Sequence, residues 1–212
     1  MTTIVAFVSQ KGGVGKSTLS RALTREAANN GLKAKLADLD TQQGTSIDWN
    51  RTRLNAGIEP EISAEAFSTA AQALKIADRY DLLVIDAPAR TSKGTLQIAQ
   101  VADLVVQPTG AALDDLRPAV REFHALVKAG IPKERLVFAL NHIGTANEEV
   151  EARDYLTQAG YLVLEGSLME RPAYRIAQNA GRSVTETSYG NLNAKADALI
   201  QTLIDRMGDG NG

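Results

Sequence analysis

The chain has 212 residues, 44% of them hydrophobic and 23% charged, a balance that suits one compact soluble domain and excludes a disordered chain or a collagen-like repeat. It contains no cysteine, which removes disulfides, thiolate metal sites, iron–sulfur clusters and thiol nucleophiles. The 23 Lys plus Arg stand against 25 Asp plus Glu, a net charge of −2, so any pull toward nucleic acid or anionic lipid has to come from a local patch.

In chain order, short β-type runs alternate with longer runs of helical period, the mark of a mostly parallel sheet flanked by helices on both faces. Strands are predicted at 3–9, 34–39, 82–86, 104–107, 136–140 and 162–164, most of them near-continuous Val, Ile, Leu and Ala as strands buried on both sides require. A first helix spans 16–30, with Leu19, Leu23 and Ala27 four apart and Gly31 as its C-terminal stop. A second covers 115–129 and stops at Gly130. Thr145 and Glu148 form a capping box for a helix that ends near Gly160, and Pro172 suits the first position of a short helix closed by Gly181. The last helix, 193–207, carries Leu199, Ile200, Leu203 and Ile204 on one face, and residues 208–212 read as a frayed tail. The whole of 1–212 reads as a single domain. With the first strand predicted from residue 3, no N-terminal DNA-reading helix-turn-helix is expected. No run approaches the roughly 20 apolar residues of a membrane helix and no charged signal-peptide segment is present, so a cytoplasmic protein is expected. His124 and His142 have no partner at ligand spacing and read as structural or surface residues.

The strongest motif is Lys11-Gly12-Gly13-Val14-Gly15-Lys16-Ser17-Thr18, between the first strand and the first helix. Glycines let successive backbone N–H groups turn inward around phosphate oxygens, and the helix N-terminus adds partial positive charge. Lys16 is then placed for the β- and γ-phosphates and Ser17 for magnesium. The strict pattern G-x-x-x-x-G-K-[ST] wants glycine at position 10, where this chain has Gln10 followed by the additional Lys11. Hydrolysis of a phosphoanhydride also needs a metal-side carboxylate and a group that orients water. Asp86, at the end of a buried strand, fits the first role, while Asp38 and Asp40, two apart, share a face. An aspartate at a strand end equally serves as a turn or helix cap.

The loop Lys-Gly-Gly-x-Gly-Lys-Ser resembles the deviant Walker A motif of the ParA/MinD superfamily, a set of P-loop NTPases. The resemblance extends to Asp38-Leu39-Asp40-Thr41-Gln42, where the family usually has proline in place of Thr41, and to Leu82–Asp86 with Pro88 as a Walker B strand. Ala102-Asp103-Leu104-Val105-Val106-Gln107-Pro108 is similar to the strand that follows, and Arg171-Pro172-Ala173-Tyr174 to a segment near the nucleotide. Size and organisation are most similar to the short, ParF-like partition proteins. The resemblance implies ATP or ADP with magnesium, Asp40 as the residue that orients water, Asp38 near the metal, and Lys11 reaching the phosphates of a partner subunit. It also implies an ATP-dependent homodimer, non-specific DNA as the matrix, nucleoid association in the ATP state, and a ParB-like protein that stimulates slow hydrolysis. For the base, Asn141 after the fifth predicted strand and the Arg171–Pro172 stretch are the two candidates. For DNA they are Arg171, Arg175 and Arg182, with a second stripe at Arg117, Arg121, His124 and Lys128. The alternative is a MinD-like or related switch acting on a membrane, a protein complex or DNA transfer. A lipid-docking tail is disfavoured by Asp197, Asp205 and Asp209 set against Lys195 and Arg206.

Overall fold

The computed structural model describes residues 2–89 and 92–209. Its strands are β1 (Thr3–Phe7), β2 (Ala34–Asp38), β3 (Ser63–Ala66), β4 (Leu82–Asp86), β5 (Leu104–Thr109), β6 (Leu136–Ile143) and β7 (Leu162–Met169). They pair in parallel throughout, in the order β3-β2-β4-β1-β5-β6-β7. The helices are α1 (Lys16–Asn29), α2 (Thr45–Asn55), α3 (Ala70–Leu74), α4 (Ser92–Val101), α5 (Leu113–Lys128), α6 (Ala146–Gln158), α7 (Pro172–Asn179) and α8 (Gly190–Asp209).

Alternation along β1 sorts the core into two layers. Val5 and Phe7 pack with Leu19 and Leu23 of α1 and with Leu199 and Leu203 of α8, whereas Ala6 and Val8 face Leu116 and Phe123 of α5 and Leu156 of α6. On the second face Phe123 meets Phe138 at 4.3 Å and Tyr161 at 5.3 Å between ring centroids. Strand β1 lies between β4 and β5, so the chain winds outward in opposite directions on its two sides. At such a switch point the loops after neighbouring strands diverge and leave a crevice above the C-terminal strand ends.

Several boundaries differ from the sequence expectation. Strand β2 ends at Asp38 and places Asp40 in the following turn, so period-two alternation does not carry the pair onto one face. Strands β6 and β7 run on to Ile143 and Met169, with register shifts between them that accommodate Asn141 and His142. Helix α8 includes residues 208 and 209, expected in a frayed tail, while 210–212 lie outside the described residues. Helix α2 went unpredicted because the side it buries is Ser46, Trp49, Asn50 and Arg53 rather than an aliphatic stripe. Fully buried Arg53 bonds Pro60 O at 3.0 Å, Gly181 O at 3.2 Å and the Glu186 carboxylate at 2.7 Å, which fastens α2 to the segment after α7. Edge strand β3, Ser-Ala-Glu-Ala, is largely exposed and lacks β-branched residues, so its composition carries no strand signal. Among the described residues no helix is long and apolar enough to cross a membrane.

The Thr145–Glu148 capping box forms as expected, with Thr145 Oγ1 accepting the Glu148 N–H at 3.2 Å and the Glu148 carboxylate accepting the Thr145 N–H at 3.2 Å. Thr145→Ala is expected to destabilise the fold by about 1 kcal/mol. A thermal melt should show a midpoint lowered by about 2–4 °C, the usual response for a chain of this size.

Candidate functional site

The loop between β1 and α1 stands at the crevice. Its shape depends on Gly15, which caps α1 at φ 106°, a left-handed conformation that side chains resist, with no side-chain cap on the helix. A Cβ there would also collide with the Asn141 amide, whose Cγ would lie 2.9 Å away. Asn141 is buried at the top of β6 and donates its amide Nδ2–H to Val14 O at 2.8 Å, pinning the loop from the far side of the sheet. The next residue, His142, has φ 55° and falls where the register with β7 shifts, between Leu140 and Ile143. From α5, buried Glu122 receives the Gln10 N–H at 3.1 Å and the Gln107 Nε2–H at 2.8 Å, so the start of the loop is held as well.

The two lysines of the loop are placed differently. Lys16, only 8% exposed, lies inside with Nζ 3.4 Å from Lys11 O. Burial lowers its pKa, against the raising attraction of Asp86, Asp40 and Glu122. Lys11 has its side chain 47% exposed on the outer rim and is paired with Asp115 at the start of α5. Gly12 and Gly13 are exposed with open space around them, and Ser17 is half-buried, with its Oγ 3.4 Å from Thr45 Oγ1 and its hydroxyl near Asp86.

Below the loop, Asp38 and Asp86 are register partners at the ends of β2 and β4 and are 0% and 2% exposed. Each Asp38 oxygen accepts a backbone N–H, from Asp40 at 2.9 Å and from Ser46 at 3.0 Å. Burial nevertheless raises its pKa, with the N–H groups of Asp40, Ser46 and Ile47 working the other way. Asp38 therefore shapes the turn and the start of α2 while lying beside Asp86 on the neighbouring strand. Asp40 follows in the turn, where its Oδ1 accepts the Gln43 N–H at 3.2 Å. Asp86 is the carboxylate left with capacity. Its Oδ2 accepts the Ser46 hydroxyl at 2.7 Å, while Oδ1 is buried with no aligned hydrogen-bond partner, the Ser17 hydroxyl being near enough only to favour the charge. A hydrated divalent cation between Ser17 and Oδ1 would satisfy that oxygen, so these residues fit magnesium, which keeps waters and needs few protein carboxylates. Among the described residues no group of three His, Cys, Asp or Glu offers an all-protein metal cage.

Beside the loop a cleft is lined by Thr18, Asn141, His142, Arg171, Tyr174, Arg175 and Gln178. The structure thus brings both base candidates, Asn141 and the Arg171 region, to one place. Pro172 opens α7 at its first turn as expected, and Arg171 precedes it with NH1 donating to Glu170 O at 2.9 Å. Arg171 and Arg175 are exposed at the cleft, whereas Arg182 lies past the other end of α7, its carbonyl receiving Trp49 Nε1–H at 3.1 Å. Arg117, Arg121, His124 and Lys128 are all exposed along α5. Arg21, Ser46, Glu122 and Gln178 escaped the sequence reading, because each acts through a contact made by distant elements.

The CobQ/CobB/MinD/ParA nucleotide binding domain family matches this chain over residues 5–184. A protein ParA of Rhizobium radiobacter is 24% identical over 220 residues, covering 96% of this chain and 97% of that one. The septum site-determining protein MinD of Pyrococcus horikoshii, complexed with Mg-ADP, superposes with a TM-score of 0.77 at 18% identity, covering 99% of both chains. A variant of Cyanothece McdA in complex with ATP gives 0.71 at 16% identity, over 95% of this chain and 96% of that one.

Burial raises the Asp86 pKa from its ordinary 3.8 to about 6, with the Ser46 and Ser17 hydroxyls and Arg21 opposing and Asp38 reinforcing the rise. Between those values the folded chain holds a proton that the unfolded chain has released, so this group's contribution to stability falls as pH rises through that window. At about 1.4 kcal/mol per pKa unit, the burden at neutral pH reaches roughly 3 kcal/mol. Without nucleotide or metal, Asp86→Asn is expected to melt several degrees above wild type at neutral pH, the advantage shrinking as pH falls toward 4. Melting curves that coincide at both ends of the range would mean that Arg21 and Ser46 compensate the charge in full.

Proposed function

The chain belongs to the CobQ/CobB/MinD/ParA nucleotide binding domain family, and from that premise we propose that it is a ParA-type ATPase. In this reading it dimerises with ATP, holds non-specific DNA, and hydrolyses ATP slowly to segregate or position a plasmid, chromosome or similar cargo. The observation that carries the proposal is the division of labour between the two loop lysines. Lys16 is buried where it meets phosphates bound in the same subunit, and Lys11 is exposed on the rim, free to serve a second subunit once it leaves Asp115. Two facing nucleotides repel each other, and a lysine supplied from each side makes dimerisation depend on the γ-phosphate.

The backbone from Gly12 to Thr18 wraps the phosphates, and the open N-terminus of α1 faces them. Asp40 orients the attacking water from the turn after β2. Ser17 and Asp86 are the residues that would hold magnesium, which would supply charge neutralisation to the bound phosphates. Asn141 with Arg171 and Pro172 borders the base. The known complexes of relatives, MinD with Mg-ADP and McdA with ATP, support this choice of ligand.

For DNA, Arg171 and Arg175 at the cleft and Arg182 beyond α7 form the first candidate surface, and the α5 stripe the second. A dimer doubles either one, and phosphate contacts accumulate as counterions are released. Helix α8 packs Ala196, Leu199, Ile200 and Leu203 into the core, so its main apolar stripe serves the fold, which favours DNA over a MinD-like membrane role. A ParB-like partner that stimulates turnover completes the cycle, in the cytoplasm and on the nucleoid.

Co-sedimentation with duplex DNA of mixed sequence and, separately, with anionic vesicles tests the matrix. Retention on DNA in ATP with magnesium, but not in ADP, is the expected result, and retention on vesicles alone would transfer the protein to the MinD-like reading. Asp40→Ala is expected to bind ATP normally, lower turnover by about 10²-fold or more as loss of a water-orienting group does, and accumulate as dimer. Unchanged single-turnover hydrolysis would remove Asp40 from that role.

A further inference from the structure

Arg21, in the second turn of α1, is 8% exposed and, among the described residues, forms no direct ion pair. Its guanidinium is divided between two other helices. Nε donates to Ser46 Oγ on α2 at 3.1 Å, and NH1 donates to Gln178 Oε1 on α7 at 3.2 Å. Ser46 has one hydroxyl proton. With the Arg21 N–H seated on an oxygen lone pair, that proton is directed to Asp86 Oδ2, 2.7 Å away. Oδ2 is thereby occupied and Oδ1 remains the unpartnered oxygen. Gln178, at the other arm of the fork, lines the cleft with Thr18 and Asn141. One side chain therefore touches the wall of the cleft and, through Ser46, sets which oxygen of Asp86 is free.

We propose that Arg21 is a positioning residue that ties the α7 wall of the nucleotide cleft to the Asp86 carboxylate, so that magnesium and nucleotide bind as a coupled pair. The inference rests on reading this site as one for magnesium and adenine nucleotide, and it adds a residue outside the glycine loop and the aspartates. Lysine cannot replace Arg21, because a single ammonium lacks the fork that reaches two helices at once. Trp49, the only tryptophan of the chain, reports on the same junction: its ring packs 5.5 Å from the Arg21 guanidinium carbon, one turn of α2 beyond Ser46.

The test is ADP affinity by calorimetry, with and without magnesium, in wild type, Arg21→Lys, Ser46→Ala and the double variant, with Trp49 emission recorded in the same titrations. Wild type is expected to bind ADP more tightly with magnesium and to shift its Trp49 emission on doing so. The magnesium-dependent gain should fall about tenfold in Arg21→Lys, the usual effect of losing a hydrogen bond in a charged network. Ser46→Ala should lose a similar factor, and the double variant no more than the worse single, since both act on one chain of contacts. A purely structural role would lower the melting temperature and leave the ratio of affinities where it was. A ratio in Arg21→Lys within about twofold of wild type overturns the proposal; if that variant does not fold, an unchanged ratio in Ser46→Ala overturns it instead. Wild-type ADP binding that is indifferent to magnesium also overturns the coupling while leaving the nucleotide site standing. No ADP binding at all removes the functional reading itself, and the proposal with it.

Discussion

Two carboxylates held side by side out of water are the constraint to which the rest of the site responds. Asp38 and Asp86 are opposite one another in the β2–β4 register, and each is expensive to keep ionised at that depth. The chain answers with different devices. Asp38 is wrapped by backbone N–H groups of the turn it initiates, Asp86 takes the hydroxyl of Ser46, and the cations Lys16 and Arg21 flank the pair from α1. Such a cluster contributes less to stability than aliphatic packing of the same volume would. Its presence beneath an open glycine loop is the signature of a site built to receive phosphate charge and its counter-ion.

The topology explains why these groups meet. With β1 between β4 and β5, the glycine loop rises above the point where the chain changes direction, and the ends of β2 and β4 fall beneath one side of it. The other side is closed by β6, which carries Asn141 under Val14 and Gly15. Helix α5 adds Glu122 below the loop and Asp115 at its rim. The loop is thus held by side chains more than 100 positions away, and Gly15 matters as much for admitting Asn141 as for turning the backbone.

Helix α2 connects this centre to the C-terminal half. Ser46 reaches Asp86, Trp49 has the guanidinium groups of both Arg21 and Arg53 near its ring and bonds Arg182 O, and Arg53 bonds Gly181 O and Glu186. The turn that carries Asp40 leads directly into this helix. Packed and hydrogen-bonded groups thus join that turn to the segment that follows α7, which includes Arg182.

What the sequence determined by itself was local in origin. Buried parallel strands read as aliphatic runs, the glycine loop read as an anion cradle from its spacing, and the helix starts at Thr145 and Pro172 were legible because a cap or an N-terminal proline works through neighbours a few residues off. The resemblance carried by the loop placed the chain in its family. What remained for the tertiary structure was every role that depends on a distant partner. Asp38 and Asp86 look alike at strand ends, and only the N–H groups of Asp40 and Ser46 make one a cap and leave the other an oxygen to spare. Helix α2 hid because it buries polar groups, which are legible as core only once their partners are in place. Arg21 reads as an ordinary polar position in α1 until α2 and α7 close on it, since a buried guanidinium is defined by its acceptors, and those lie 25 and 157 residues along the chain.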